Sequence, residues 1–112
     1  MIPNELAKEI ERMVNDLAQR RYAELASDGR GGRLTEVELQ QAIRQYGRVL
    51  VPLPQQAWEL VELYPDSKDG NRFAIDVPLW TAEEGRSDLT LLLVATKHDN
   101  RWNVAIDDIR VL

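Results

Sequence analysis

Apolar residues recur at helical spacing through the first part of the chain and at alternate positions through the last part. Leu6, Ile10, Met13, Val14, Leu17 and Leu25 fall close to one face of a 3.6-residue period, with Tyr22 beside them. Glu5 and Glu9 sit where the positive end of a helix favours acids, and Arg20 and Arg21 where its negative end favours cations. Ser27-Asp28-Gly29 supplies the stop, with Gly29 as a left-handed cap. Arg30-Gly31-Gly32-Arg33 reads as a flexible, solvated basic link. An anion grip there would need a preceding strand and phosphate-loop spacing, and the sequence has neither.

A second helix begins with clear signals. Thr35 and Glu38 stand at capping-box spacing, and Leu34 and Leu39 at the positions of a hydrophobic staple. Val37, Leu39, Ala42, Ile43 and Tyr46 supply its apolar stripe, and Gly47 ends it. Val49-Leu50-Val51-Pro52-Leu53-Pro54 cannot stay helical, because each proline pushes its predecessor into extended backbone.

From Ala57 onward the chain reads as β. The segment Ala57–Tyr64 is ambiguous, because Trp58, Leu60, Val61 and Tyr64 also suit a helical turn; its length and aromatic content favour a strand, and residues 65–71 form a turn by composition. Phe73, Ile75, Val77 and Leu79 then alternate with Ala74, Asp76, Pro78 and Trp80; Pro78 implies an edge or a local break. Leu89–Thr96 is apolar on both faces, which marks a central or doubly covered strand. His98-Asp99-Asn100 is a hairpin turn, after which Trp102, Val104 and Ile106 take core parity. The phase then slips. A β-bulge at Asp107-Asp108 would return Ile109 and Val111 to the core.

The pattern predicts one α+β domain over residues 1–112. Its two N-terminal helices pack on a curved, mostly antiparallel sheet of about four strands. Absence of cysteine removes disulfides, thiolate metal sites and cysteine nucleophiles, and fits a cytoplasmic protein. No apolar run approaches the 18 or so residues that a membrane span requires. Net charge changes the picture more. Residues 1–56 carry eight Lys/Arg and eight Asp/Glu, whereas residues 57–112 carry six and eleven. This acidic half disfavours nucleic acid and suits a basic partner protein.

Candidate chemistry is sparse. Between the two longest alternating segments lie Trp80, Glu83, Glu84, Arg86 and Asp88, a charged loop beside an aromatic anchor, and these residues are the expected partner-binding surface. A structural reading competes with it: Arg86 could tie the loop to Asp88 or Glu84. Asp76 and Asp107 could serve as polar groups of a pocket on the sheet's concave face. The sole histidine, His98, lies in a turn, and no catalytic set, metal-ligand spacing or cofactor motif emerges. The outer face of Leu92 and Val94 could also be covered by a second copy in a homodimer.

Three stretches carry a resemblance: Tyr46-Gly47-Arg48 with Val51-Pro52, the run from Leu79 to Thr90, and Ile106-Asp107-Asp108-Ile109-Arg110-Val111-Leu112. Over roughly residues 34–112 the chain resembles a bacterial family of small domains of unknown function, which implies no activity. More distantly, helices followed by a bent sheet with a Trp-containing last strand resemble the cystatin-like or nuclear-transport-factor-2-like α+β roll. That resemblance implies three classes of function: enzymes such as polyketide cyclases and dehydratases, small-ligand binders, and immunity proteins against bacterial toxins. The enzymes often use a cavity His–Asp pair, which a histidine in a turn does not supply. The reading that follows is a non-catalytic binding protein, with toxin immunity as its specific form.

Overall fold

The computed structural model describes residues 2–112. Helix α1 spans Asn4–Ala18, α2 spans Tyr22–Ser27 and α3 spans Glu36–Tyr46. Strand β1 is Leu50–Val51, followed by a 3₁₀ helix, Gln55–Leu60. Strands β2 (Glu62–Pro65), β3 (Arg72–Thr81), β4 (Gly85–His98) and β5 (Arg101–Val111) complete the domain. All pairings are antiparallel. The order is β1-β3-β4-β5, and β2 shares the outer edge of β3 with β1. The α+β reading holds, with helices on an open sheet of five strands.

One face of the sheet is the core. Ile75, Val77, Leu79, Leu89, Leu91, Leu93, Val104, Ile106 and Ile109 meet Leu6, Ile10, Met13, Leu17, Leu25 and Leu39 from the helices, all buried. Burying each large side chain of this kind is worth about 1.5–3 kcal/mol. The bulge lies where the phase slip requires it: Leu92 pairs with Asp108 and Leu93 with Ile106, leaving Asp107 as the extra residue. Ile109 is thereby buried, but Val111, at the strand's frayed end, stays 57% exposed. Val37, assigned to the stripe of α3, is likewise 58% exposed, because only Leu39 and Ile43 of that helix reach the core fully. Pro78 sits at a register shift between the stretches of β3 that pair with β2 and with β1. Its missing N–H therefore costs no ladder bond.

Three further segments depart from the sequence reading. The first helix breaks at Arg20, which adopts a left-handed φ of 62°. The amide of Arg21 donates to Asp16 O, and that of Arg20 to Leu17 O. This is a Schellman termination, with arginine where glycine is the usual occupant. Gly29, also left-handed, stops α2 instead. Second, residues 55–60 form a 3₁₀ helix that turns Ala57 inward, so only residues 62–64 of the expected strand are extended, and β2 continues to Pro65, which the composition assigned to the turn. Third, the link at residues 30–33 is docked against β5, although Gly32 and Arg33 remain exposed. Ile106 N donates to Arg30 O at 2.7 Å, and Arg33 Nε donates to Asp107 O at 3.2 Å. A Cβ added to Gly32 would lie 2.2 Å from Ile106 O. The link covers the bulged edge of β5, an edge that would otherwise be open to pairing.

Candidate functional site

The β3–β4 turn is built as a clamp. Gly85, at a φ of 74°, closes it. The Thr81 hydroxyl donates to Glu84 Oε1 and accepts the Glu84 amide, both at 3.1 Å. The Tyr46 phenol, from the end of α3, donates to the Glu84 carboxylate at 2.9 Å and accepts the Asp88 amide at 3.1 Å. Val49 N donates to Glu83 Oε1 at 3.0 Å, and Ala82 N to Val49 O at 2.9 Å. Glu83 and Glu84 are thus exposed, yet their acceptors point back to α3 and the connector. Arg86 makes no ion pair among the described residues. The tie expected of Arg86 is made by Tyr46.

The remaining members of the expected surface open onto the sheet face away from the helices. Cα pairing puts Glu62 beside Asp76, Asp76 beside Leu92, and Leu92 beside Asp108 in one row across the sheet. An open cleft of about 220 Å³ lies along this face, lined by Leu60, Glu62, Asp76, Pro78, Arg86, Asp88, Thr90 and Leu112, with Ser87 at one side. None of the carboxylates of Glu62, Asp76 and Asp88 is ion-paired among the described residues. Trp80 is half-buried on the same strand face, opposite Arg86 in the ladder.

The phenol of Tyr64 registers this acidity. Its hydroxyl donates to Glu62 Oε2 at 2.6 Å. That hydrogen bond, with the charges of Glu62 and Asp76 nearby, pushes its pKa up to about 12. A negative neighbour disfavours the phenolate.

Asp76 and Asp107 are not brought together. The bulge turns Asp107 outward into solvent and places Asp108 in the row of Asp76. Asp108 is itself engaged: its Oδ1 accepts the Ile109 amide at 2.9 Å, and Arg110 lies 3.7 Å from Oδ2. The helix-facing side of the sheet, where a pocket between the two aspartates was expected, is filled by apolar side chains. No group of three or more His, Cys, Asp or Glu side chains is arranged to hold a metal ion among the described residues. His98 is exposed next to the Asp99-Asn100 turn, whose two positive φ angles, 48° and 67°, make a tight hairpin. Among the described residues, no helix is long and apolar enough to cross a membrane. Glu62 is the residue the sequence reading missed. Its partnership with Asp76 depends on the β2–β3 register, which no local pattern announces.

Helices on one face of an open antiparallel sheet, with a carboxylate-lined cleft on the other, define the class of domain. The family described as "Domain of unknown function (DUF7668)" matches residues 14–112, and the chain belongs to it. Comparison with curated proteins and comparison with solved structures each gave no match.

Proposed function

We propose that the chain is a binding module whose open sheet face receives a cationic segment of a partner protein. The observation that carries this reading is the convergence of Glu62, Asp76 and Asp88 on one cleft with Arg86 as its only cation among the described residues. Carboxylates left without counter-ions in the free protein attract Lys and Arg and speed their encounter. Leu60, Pro78 and Leu112 in the same cleft supply apolar surface for the aliphatic stems of those side chains. Trp80, at the end of the face, is the aromatic anchor. The acidic excess of residues 57–112 supports the same partner chemistry.

Within this reading, toxin immunity in a bacterial cytoplasm is the specific case, with a basic toxin as partner. The cystatin-like roll is its finer fold description, favoured by the order of helices before sheet. Glu83 and Glu84 move from contact residues to supports of the turn that carries Asp88.

The test uses a Lys/Arg-rich peptide and two variants of equal charge change. Asp76→Asn with Asp88→Asn should weaken binding about tenfold, from the loss of two exposed charge pairs of up to about 1 kcal/mol each. Glu11→Gln with Glu36→Gln, on exposed helix positions, should leave affinity within about twofold. Equal losses in the two variants would reduce the effect to net charge and remove the site.

A further inference from the structure

A second cleft, of about 320 Å³, lies where the C-terminal ends of α1 and α3 meet the connector to β1. Its polar rim is Arg20, Arg44 and Arg48, with Gln40 beside them, and no lining residue is acidic. In a chain of net charge −5, three guanidinium groups around one concavity stand out. None of the three forms an ion pair among the described residues. Arg48 Nη1 donates only to the carbonyl of Gly47, at 3.2 Å.

The Tyr22 side chain lines the same cleft. Burial raises its phenol pKa, and the charges of Arg20 and Arg44 oppose that rise, which places both guanidinium groups within electrostatic reach of the hydroxyl. The position of Arg20 is the second, independent observation. It occupies the left-handed residue of the Schellman turn, where glycine meets no steric penalty. Backbone strain of this kind clusters at functional sites. Helix C-termini also attract cations. That attraction accounts for Arg44, in the last turn of α3. The same attraction acts on Arg20 at the end of α1, but it does not remove the backbone cost of a residue other than glycine at that left-handed position.

We infer that this cleft binds a small organic phosphate, with Arg20, Arg44 and Arg48 holding the phosphate and the apolar walls of Ile43 and Leu50 covering the organic body. Phosphate fits better than a carboxylate. Each guanidinium offers a planar fork of donors, and three forks supply more hydrogen bonds than one carboxylate accepts. The cleft is at the lower end of the volume range of small-molecule sites. The site is separate from the sheet face and stands or falls independently of the partner proposed there.

The test is calorimetric titration of the intact protein at low salt with pyrophosphate, adenosine monophosphate and citrate. The expected result is saturable one-to-one binding of the two phosphates, tighter than that of citrate. Arg44→Gln and Arg48→Gln should each weaken it at least about tenfold, the cost of one charge-assisted contact. Arg20→Gly relieves the backbone, so it should raise the thermal midpoint while weakening phosphate binding. That variant separates loss of the site from loss of the fold. Absence of saturable binding, undiminished affinity in the arginine variants, or preference for citrate would each overturn the assignment.

Discussion

The phenol of Tyr46, at the C-terminal end of α3, donates a hydrogen bond of 2.9 Å to Glu84 in the β3–β4 turn, 38 residues away. The same oxygen accepts the amide of Asp88. One side chain thus fixes the turn to the helical layer, and with it the position from which Asp88 enters the acidic cleft. Tyr46→Phe should destabilise the domain by about 1 kcal/mol, the net worth of a typical hydrogen bond. Urea unfolding of Tyr46→Phe, Glu84→Gln and the double variant measures the coupling. Strictly additive effects would contradict the clamp.

Arg30 is the cation that the sequence left in a solvated link, and it is anchored at both ends. Nη1 lies 2.6 Å from Asp16 Oδ2, and the two side chains are only 14% and 11% exposed. Nε donates to Asp28 Oδ2 at 2.8 Å. Arg30→Gln would leave Asp16 with Arg21 alone, a more exposed group at 3.6 Å. The expected loss is about 3 kcal/mol, typical of breaking one side of a shielded pair.

Asp28 adds a pH dependence. Desolvation pushes its pKa up, but the Arg30 amide and guanidinium outweigh it and hold the carboxyl below its ordinary value of 3.8. A carboxylate whose folded pKa is depressed contributes stability above its unfolded value and loses it as pH falls through the folded one. Stability should therefore fall below about pH 4, and Asp28→Asn should flatten that fall in acid unfolding curves. An unchanged acid slope would contradict the pairing.

Two left-handed glycines separate close approach from backbone conformation. Gly47 caps α3 with nothing within 4 Å of an added Cβ, whereas at Gly32 that atom would strike the Ile106 carbonyl. Gly47→Ala should cost about 1–2 kcal/mol from conformation alone. Gly32→Ala adds a steric clash of about 1–3 kcal/mol more and should loosen the link from β5. Thermal unfolding ranks the two, and hydrogen exchange at Ile106 reports the loosening.

The phenol of Tyr64 is a built-in reporter of the cleft. Phenolate absorbance should show one tyrosine ionising near pH 12. Glu62→Gln removes the carboxylate that holds its proton, so the midpoint should move down toward the ordinary value of 10.0. A midpoint that does not move would place Glu62 away from Tyr64.

Features governed by neighbours in the chain were legible in the sequence. The capping box of Thr35 and Glu38 and the glycine stop at Gly47 follow from a few adjacent residues. So do the Asp99-Asn100 turn and the bulge at Asp107. What escaped depends on distant partners. Nothing local foretells that arginine will stand in a left-handed turn at residue 20, since that signal is ordinarily glycine. Nor does composition reveal that Gly32 is pressed against β5, or that Glu62 meets Asp76 across a register set by a 3₁₀ helix. For the candidate site, charge density drew attention to Glu83 and Glu84, yet hydrogen bonds to Val49 and Tyr46 occupy both carboxylates at the surface. The carboxylates left available are Asp88 from the same loop and two from other strands.

The most direct measurement of the sheet-face account is an amide chemical-shift titration of the labelled protein with the Lys/Arg-rich peptide, repeated at raised salt. The account expects saturable, salt-sensitive shifts concentrated at Glu62, Asp76, Asp88 and the Trp80 indole, with the helical layer unmoved. Shifts scattered over the exposed acids of the helices, or absent from the Asp76 row while binding occurs, would contradict it.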